Sequence, residues 1–203
     1  MILNMKKSVF FLVLAALLFA AGQKASAQIS LGVGAGSRFY SIQEGENPPV
    51  PGSAFTLSLE FEANFRLSRL FGVSVGADLA GVAGYHFRND KSKNLGEIYL
   101  EAPVRAKLYI PLGSKVDLYV FGGPVASLNL VSIDAHASGS TNNYQTHPGL
   151  KRFDLMLGGG LGLEIIRHIR VTAGYDHGLL NRDGTPGHNA HTGALKVAAY
   201  YMF

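Results

Sequence analysis

The stretch FTLSLEFEANFRL, residues 55–67, decides the fold, because its apolar and polar residues alternate without a break. The odd-numbered positions hold Phe, Leu and Ala, and the even-numbered positions hold Thr, Ser, Glu, Asn and Arg. This period of two is that of a β-strand with one apolar face. The stretch IYLEAPVRAKLYI (98–110) repeats the pattern. A helix would spread these charges around its whole circumference, so the pattern predicts strands.

Weaker alternation marks six further segments, so the sequence predicts an all-β chain of eight strands. The predicted strands are 29–41, 55–67, 71–87, 98–110, 116–130, 153–165, 170–180 and 192–203. Short turns at 68–70, 111–115 and 166–169 alternate with longer loops at 42–54, 88–96, 131–151 and 181–191. This alternation is typical of a barrel with short periplasmic turns and long extracellular loops. We therefore expect an eight-stranded antiparallel up-and-down transmembrane β-barrel.

Residues 1–27 have the three parts of a cleavable secretory signal peptide. Lys6 and Lys7 precede an apolar run at 9–21, and Ala25-Ser26-Ala27 forms a small-x-small cleavage site. The apolar run is shorter than the ~20 residues that a spanning helix needs. No Arg-Arg pair precedes the run, so we expect export through the general secretory route. Residues 28–203 are then a single outer-membrane β-barrel domain.

The mature chain is expected to be nearly neutral. The whole sequence has 18 Lys and Arg against 14 Asp and Glu, but Lys6, Lys7 and Lys24 belong to the predicted signal peptide. Fifteen basic residues remain against 14 acidic ones, a net charge of +1. Nucleic acid is therefore not an expected partner, because that interaction needs a basic patch. The absence of cysteine excludes a lipoprotein, a disulfide scaffold and a thiolate metal site.

Alternation alone does not say which face lies inside, so a soluble lipocalin-like barrel has to be weighed against a membrane barrel. Small residues crowd the non-apolar face, as at 30–36 and 158–162, and this suits a narrow lumen. Aromatic residues on the apolar face lie near both strand ends, as expected at two lipid–water interfaces. The predicted girdle contains Phe39, Phe55, Phe87 and Phe153 at the outer rim, and Phe65, Phe71, Tyr201 and Phe203 at the inner rim.

Four stretches resemble successive strands of the Bacteroidota outer-membrane β-barrel family, described as porin-family or PorT-like proteins. They are IYLEAPVRAKLYI (98–110), YVFGGPVASLNL (119–130), FDLMLGGGLGLEI (153–165) and VTAGYDHGLLN (171–181). The most specific parts are Tyr-Leu-Glu-x-Pro at 99–103 and Gly-Leu-x-Asn at 178–181. The resemblance implies an outer-membrane barrel and supplies no catalytic residue, cofactor or agreed ligand. Separately, the terminal Phe203 looks like the signal that the outer-membrane assembly machinery reads.

Charged residues on the non-apolar face are nearly balanced, with eight acids against six bases. Buried charge is tolerated only when it is paired and hydrogen-bonded, and eight strands leave just enough room for side chains. We therefore expect a charge-paired plug rather than an ion-selective pore. The predicted network is Arg38, Glu60, Glu62, Arg66, Asp78, Glu101, Arg105, Lys107, Asp117, Asp154, Glu164, Arg170, Asp176 and Lys196.

Histidines concentrate toward the outer rim, where His188 and His191 are the weak candidates for a metal site. They fall in a Gly/Pro-rich segment that nothing aligns, so we expect no metal and no cofactor. His177 lies where eight-stranded lipid A deacylases place a catalytic histidine. Two leucines follow Gly178 in place of the serine which that chemistry requires, so we expect no enzyme.

The expected function is a structural or interaction role in the outer membrane. The long outer loops, above all 131–151, or the periplasmic turns are expected to bind an unidentified partner and to assist secretion or envelope assembly. Membrane lipid and the assembly machinery are the other expected partners. A small-solute channel and a lipid-modifying enzyme are the alternatives.

Overall fold

The computed structural model describes residues 26–87, 93–134, 151–166 and 168–203, which form a closed barrel of eight strands. The strands are β1 (Ser26–Glu44), β2 (Val50–Arg66), β3 (Phe71–Phe87), β4 (Lys93–Pro111), β5 (Val116–Asp134), β6 (Phe153–Ile165), β7 (Ile169–Gly178) and β8 (His188–Met202). Each strand pairs antiparallel with the next, and β8 pairs with β1. The predicted eight-stranded antiparallel barrel is confirmed. Within the described ranges, no helix is long and apolar enough to span a membrane.

The strands are strongly tilted. Following the paired residues once around the barrel returns to β1 ten residues beyond the starting point, from Ala27 to Ser37. The path is Ala27, Phe65, Val73, Ala106, Gly122, Gly159, Tyr175, Leu195 and Ser37. With eight strands, this stagger corresponds to a tilt of roughly 40° and a backbone cylinder about 16 Å across. Side chains can fill a cylinder of that width.

The two faces of each strand differ in exposure as the period of two predicts. Outward positions are apolar and exposed, and examples are Ile29, Leu31, Leu57, Leu59, Leu79, Leu100, Leu157, Leu161, Leu195 and Val197. Inward positions are polar and mostly buried, with Arg38 and Arg170 among the largest side chains that are almost fully enclosed. An apolar exterior around a polar interior is the arrangement of a membrane barrel rather than of a lipocalin-like one.

The strands extend further at the outer end than the sequence predicted. Residues 93–96, 131–134 and 188–191 were expected in loops, but they continue β4, β5 and β8. These positions lie at the outer strand ends, where outward residues such as Asn189 and His191 are polar and the alternation disappears, while inward residues such as Ser132 and Ala190 stay buried. At the end of β7 the predicted strand is too long: it included Leu179 and Leu180, but the strand ends at Gly178.

Pro103 of β4 and Pro124 of β5 lie at a gap in the strand pairing, and the register is the same on both sides of that gap. Between β4 and β5, pairing stops after Pro103 opposite Val125 and resumes at Ala106 opposite Gly122. Proline lacks the N–H that the ladder needs. The side chain of Arg105 compensates, because its Nη1 donates to the carbonyl oxygen of Gly123 at 2.6 Å.

Glycines make room for aromatic rings inside the barrel. A Cβ added at Gly162 would lie 2.1 Å from the Tyr119 ring, which no side chain permits. The corresponding pairs are Gly162 with Tyr119, Gly32 with Tyr200, Gly72 with Tyr109, and Gly160 and Gly174 with Phe121. The interpretation of the glycine clusters as close packing in a narrow barrel is confirmed.

Candidate functional site

The structure places every residue of the predicted charge network on the lumen side. Most of them lie in two groups along the barrel axis, which we call the inner and middle clusters, and a third group further out, the outer cluster, consists of other residues. Arg66 and Asp117 at the inner mouth and Lys196 beside the cavity are partly exposed.

The inner cluster joins Glu62, Lys107, Arg170, Glu164, Arg66 and Asp117. Glu62 accepts from Lys107 Nζ at 2.7 Å and also from the guanidinium of Arg170. Arg170 is fully enclosed and donates through Nε to Glu164 Oε1 at 3.2 Å. Three carboxylates face three cations, so the inner cluster is electrically balanced.

The periplasmic side of the inner cluster is closed by aromatic and ionic contacts. Arg66 bonds to Asp117 at 2.8 Å, and its guanidinium lies 4.1 Å from the centre of the Tyr109 ring. The Tyr109 hydroxyl accepts from Asn64 Nδ2 at 3.0 Å. These contacts hold Arg66 across the mouth rather than in the periplasm.

The middle cluster has three carboxylates and two cations. Lys196 bonds to Asp78 at 2.9 Å and to Glu60 at 3.0 Å. Arg38 pairs with Glu101. Hydroxyl donors compensate for the missing third cation, and they are Tyr200 and Ser58 on Glu60, and Ser127 on Glu101. Hydrogen bonds to an ionised carboxylate stabilise it in place of a counter-ion.

Two further acids are bound at the β6–β8 side of the lumen. Arg105 Nη2 bonds to Asp176 Oδ1 at 2.6 Å, in addition to the backbone oxygens that the same side chain covers. Asp154 accepts from the Thr192 hydroxyl.

The outer cluster centres on Glu97, which the sequence analysis missed. Its carboxylate accepts from Tyr40 at 2.9 Å, Tyr99 at 2.8 Å, Asn129 at 3.0 Å and Ser132 at 3.1 Å. The signal was available, because position 97 continues the inward parity of Tyr99 and Glu101. The predicted strand begins one residue later, at Ile98, and therefore leaves Glu97 out.

Arg182 closes the lumen above the outer cluster, and its sequence position in a predicted loop gave no hint of this. Arg182 is only 3% exposed. Its Nε donates to the Lys151 carbonyl at 3.0 Å, and its Nη1 lies 3.4 Å from the Tyr99 hydroxyl. The backbone of Arg182 also pairs with Lys151 and Ala190. The β7–β8 loop is thus fastened into the mouth.

Asn181 and Asp183 order the same loop. The Asn181 side chain accepts from the backbone N–H groups of Asp183 and Ala190, both at 2.9 Å, and donates to His188 O at 2.8 Å. Asp183 accepts from the Thr185 N–H at 2.8 Å. Slight burial acts in the opposite direction, but this bond and the nearby His188 hold the pKa of Asp183 below its usual value.

Two spaces lie next to the inner cluster. A cavity of about 50 Å³ lies between the middle and inner clusters, bordered by Glu60, Lys107 and Tyr119. It has room for roughly three waters. A wider vestibule of about 810 Å³ opens at the periplasmic mouth, where Arg66, Asp117 and Glu164 form part of its wall. The two spaces lie on opposite sides of the inner cluster.

The histidines whose side chains the structure describes do not gather into one site. His188 and His191 are three positions apart in β8, so they lie on opposite faces of the strand. His188 Nδ1 lies 3.5 Å from Asp183, whereas His191 stacks on His177 with ring centres 6.4 Å apart. No group of three metal-ligating residues occurs in the part of the chain that the structure describes. His136 and His147 lie outside that part.

The predicted girdle residues occupy outward positions near the strand ends. Phe39, Phe55, Phe71, Phe153, Tyr201 and Phe203 are exposed, and Phe65 is half-buried. Phe203 meets the Tyr201 ring edge-on at 5.1 Å. Phe87 ends β3, and its side chain lies outside the described residues.

Solved structures of small membrane barrels are similar to this chain. Neisserial surface protein A is 16% identical, with 85% of this chain and 97% of that chain covered and a TM-score of 0.45. Ail, the attachment invasion locus protein of Yersinia pestis, is 15% identical, with coverages of 86% and 98% and a TM-score of 0.43. The N-terminal β-barrel domain of Pseudomonas aeruginosa OprF is 12% identical, with coverages of 88% and 100% and a TM-score of 0.39.

No curated protein matches the chain. The assignment therefore rests on a family model, that of the outer membrane protein beta-barrel domain, which matches residues 11–203. That range contains all eight strands and all three lumen clusters. The chain belongs to the outer membrane protein beta-barrel domain family and is an integral protein of the outer membrane.

Proposed function

We propose that this barrel is a non-conducting scaffold in the outer membrane that presents its outer loops, or its periplasmic turns, to a binding partner. One observation carries the proposal: side chains that are ion-paired or hydrogen-bonded within three clusters fill the lumen, and the cavity between the inner and middle clusters is only about 50 Å³. A protein whose interior is filled in this way offers its two ends, rather than its centre, for function.

A small-solute channel is the main alternative, and the lumen argues against it. Arg170 and the carboxylates that bind it occupy the cross-section of the inner cluster, and Arg182 covers the outer mouth. The 50 Å³ cavity is too small to form a continuous aqueous path. In planar bilayers we expect no discrete conductance steps from barrels whose folding is verified by faster gel migration without boiling. Reproducible conductance steps from such barrels would overturn the scaffold proposal in favour of a channel.

We also propose that the protein is not a lipid-modifying enzyme. His177 is exposed on the outer surface and stacks on His191. Within the described ranges, no hydrogen bond joins His177 to a serine or threonine hydroxyl, as activation of a nucleophile requires. Mass spectrometry of lipid A from cells with and without the protein tests this directly. The same acyl pattern in both is expected, and a protein-dependent loss or gain of an acyl chain would overturn it.

The β7–β8 loop is the outer surface that we propose for a partner. Its tip at Gly184, Thr185 and Pro186 is exposed, while Asn181 and Arg182 hold its base. A preorganised loop loses little conformational entropy when it binds, which favours affinity. The loop at 131–151 is the other proposed surface; its residues 135–150 lie outside the described part of the chain.

Site-specific photocrosslinking in intact cells tests partner binding. A photoreactive residue is placed at Thr185 in the outer loop or at Ser114 in a periplasmic turn, both exposed. The matched control is Leu157, which is exposed within the apolar belt. We expect one defined protein adduct from Thr185 or Ser114 and none from Leu157. If neither site gives an adduct that the control lacks, the partner proposal fails.

The narrower assignment is to the Bacteroidota porin-family or PorT-like barrels, with a role in secretion or envelope assembly. It is supported by the motifs at 99–103 and 178–181, where Glu101 and Asn181 have the structural roles described above. We further propose export by the secretory route through residues 1–27 and recognition of Phe203 by the assembly machinery. Phe203 is 73% exposed, which supports recognition by another protein. Phe203→Ala is expected to lower the amount of folded barrel in the outer-membrane fraction.

A further inference from the structure

The turn between β6 and β7 holds an isoleucine in a strained conformation. Ile166 has a φ of 56°, in the left-handed region that β-branched residues rarely adopt. Its N–H donates to the Lys115 carbonyl at 2.7 Å, which ties this turn to the turn between β4 and β5. Its side chain is 59% exposed, so the strain is not offset by burial within the protein. Glycine would adopt the same conformation without strain.

The surface around Ile166 continues the apolar exterior of the barrel. Ile169 and Tyr201 are paired across β7 and β8 and are both exposed. Leu112, in the turn that Ile166 contacts, is 59% exposed. We call Leu112, Ile166, Ile169 and Tyr201 the inner-rim patch. The patch is continuous with the apolar exterior of the barrel, which contacts lipid. Lipid is therefore the occupant that we expect to cover the patch as well.

The charge beside the patch is positive. Lys115 is exposed in the β4–β5 turn, and the exposed His168 stacks on Tyr201 at 6.0 Å. The described residues of the two turns, 111–115, 166 and 168, include no acid. A lysine next to an apolar surface can keep its stem in the interface and reach a phosphate with its ammonium group. We propose that the inner-rim patch and Lys115 bind an anionic phospholipid of the periplasmic leaflet.

The absence of tryptophan from the chain allows a clean test. The full barrel carrying Ile166→Trp is folded into vesicles of equal parts phosphatidylcholine and phosphatidylglycerol, and folding is verified by gel migration without boiling. Either lipid is supplied with bromine near the top of its acyl chains to quench tryptophan emission. We expect blue-shifted emission and quenching about twofold stronger by the brominated anionic lipid.

Two matched variants complete the experiment. Glu46→Trp places the reporter in the exposed loop between β1 and β2 and is expected to emit as in water, without quenching. Lys115→Gln combined with Ile166→Trp is expected to leave the quenching but to make it equal for both lipids.

The outcomes separate the parts of the proposal. Water-like, unquenched emission from the tryptophan at position 166 overturns lipid binding. A periplasmic protein would then be the alternative occupant of the patch. Quenching that is equal for both lipids before Lys115 is changed overturns the anionic preference. Neither result depends on whether the outer loops or turns capture a protein partner, so this inference and the scaffold proposal can fail separately.

Discussion

The outer and inner clusters of the lumen are built on the same residue type, a buried glutamate, but they stabilise it differently. Glu97 in the outer cluster is surrounded by hydroxyl and amide donors, and the nearby cation, Arg182, comes from a loop. Glu62 in the inner cluster is bonded to two cations on strands, Lys107 and Arg170. The described contacts of the outer closure are therefore neutral hydrogen bonds and one loop cation, whereas those of the inner closure are ion pairs between strands.

This difference predicts unequal tolerance to neutralisation. A neutral donor set keeps most of its bonds when a carboxylate becomes an amide, but a buried cation that loses its carboxylate retains the full cost of desolvation. The inner cluster should thus respond strongly to loss of one charge, and the outer cluster weakly.

The largest expected effect is that of Arg170→Ala in the inner cluster. It leaves Glu62 and Glu164 without their shared, fully enclosed cation. We expect the free energy of unfolding to fall by about 4 kcal/mol. Urea titration followed by gel migration without boiling measures it. Arg69→Ala, at an exposed turn position, is the control and should change stability by less than about 0.5 kcal/mol. Equal losses from both variants would remove the distinction between buried and exposed cations.

The sharpest comparison replaces one glutamate in each cluster by its isosteric amide. Glu62→Gln should cost about 3 kcal/mol, because Lys107 and Arg170 are left with a neutral partner. Glu97→Gln should cost about 1 kcal/mol, because the four donors described for its carboxylate are uncharged and keep most of their bonds to an amide. The same titrations measure both. If Glu97→Gln is the more damaging change, the contrast between the clusters is wrong.

Packing should also differ between the two ends. Gly162→Ala brings a methyl group against the Tyr119 ring beside the inner cluster, and we expect a loss of about 2 kcal/mol. Gly96→Ala, next to Glu97 at the outer end, meets nothing within 4 Å and should leave stability unchanged. Unfolding midpoints measure both changes. An unchanged unfolding midpoint in Gly162→Ala would mean that the Tyr119 ring can move aside.

The smallest expected effect concerns the loop that closes the outer mouth. Because the folded pKa of Asp183 is lowered, its stabilisation is complete above its unfolded pKa of about 4 and is lost as the pH falls through the folded value. We expect amide hydrogen exchange at Thr185, corrected for the intrinsic rate, to become less protected as the pH falls below about 4. Asp183→Asn should remove this pH dependence. An unchanged profile in that variant would assign the effect to another group.

The strand pattern and the inward side of each strand could be predicted from alternation, because lipid on one side and a crowded lumen on the other impose opposite chemistry on successive residues. That is why Arg38 and Lys196 were both assigned to the lumen without knowledge of any contact. Alternation also identified the lipid-facing side of Phe55 and Tyr201.

Other parts of the site could not be predicted from the sequence, for physical reasons. Strand ends above the membrane, such as 188–191, carry polar residues on the outward face as well, so they lose the apolar–polar alternation. Arg182 enters the lumen through a loop, and parity says nothing about loops. The pairing of Glu62 with two distant cations depends on the stagger of the barrel, which a single sequence does not state. The strain at Ile166 is a backbone property with no compositional signal.

The contacts of Lys196 and Tyr200 bear on the order in which the barrel assembles. Both residues lie on the last strand, and their partners Asp78 and Glu60 lie on β3 and β2, more than a hundred positions earlier in the chain. Neither contact can form until β8 has joined the first seven strands. Until then, the carboxylates of the middle cluster lack their lysine. Insertion of an incomplete sheet into lipid would expose that charge, so strand closure and the neutralisation of the lumen have to occur together.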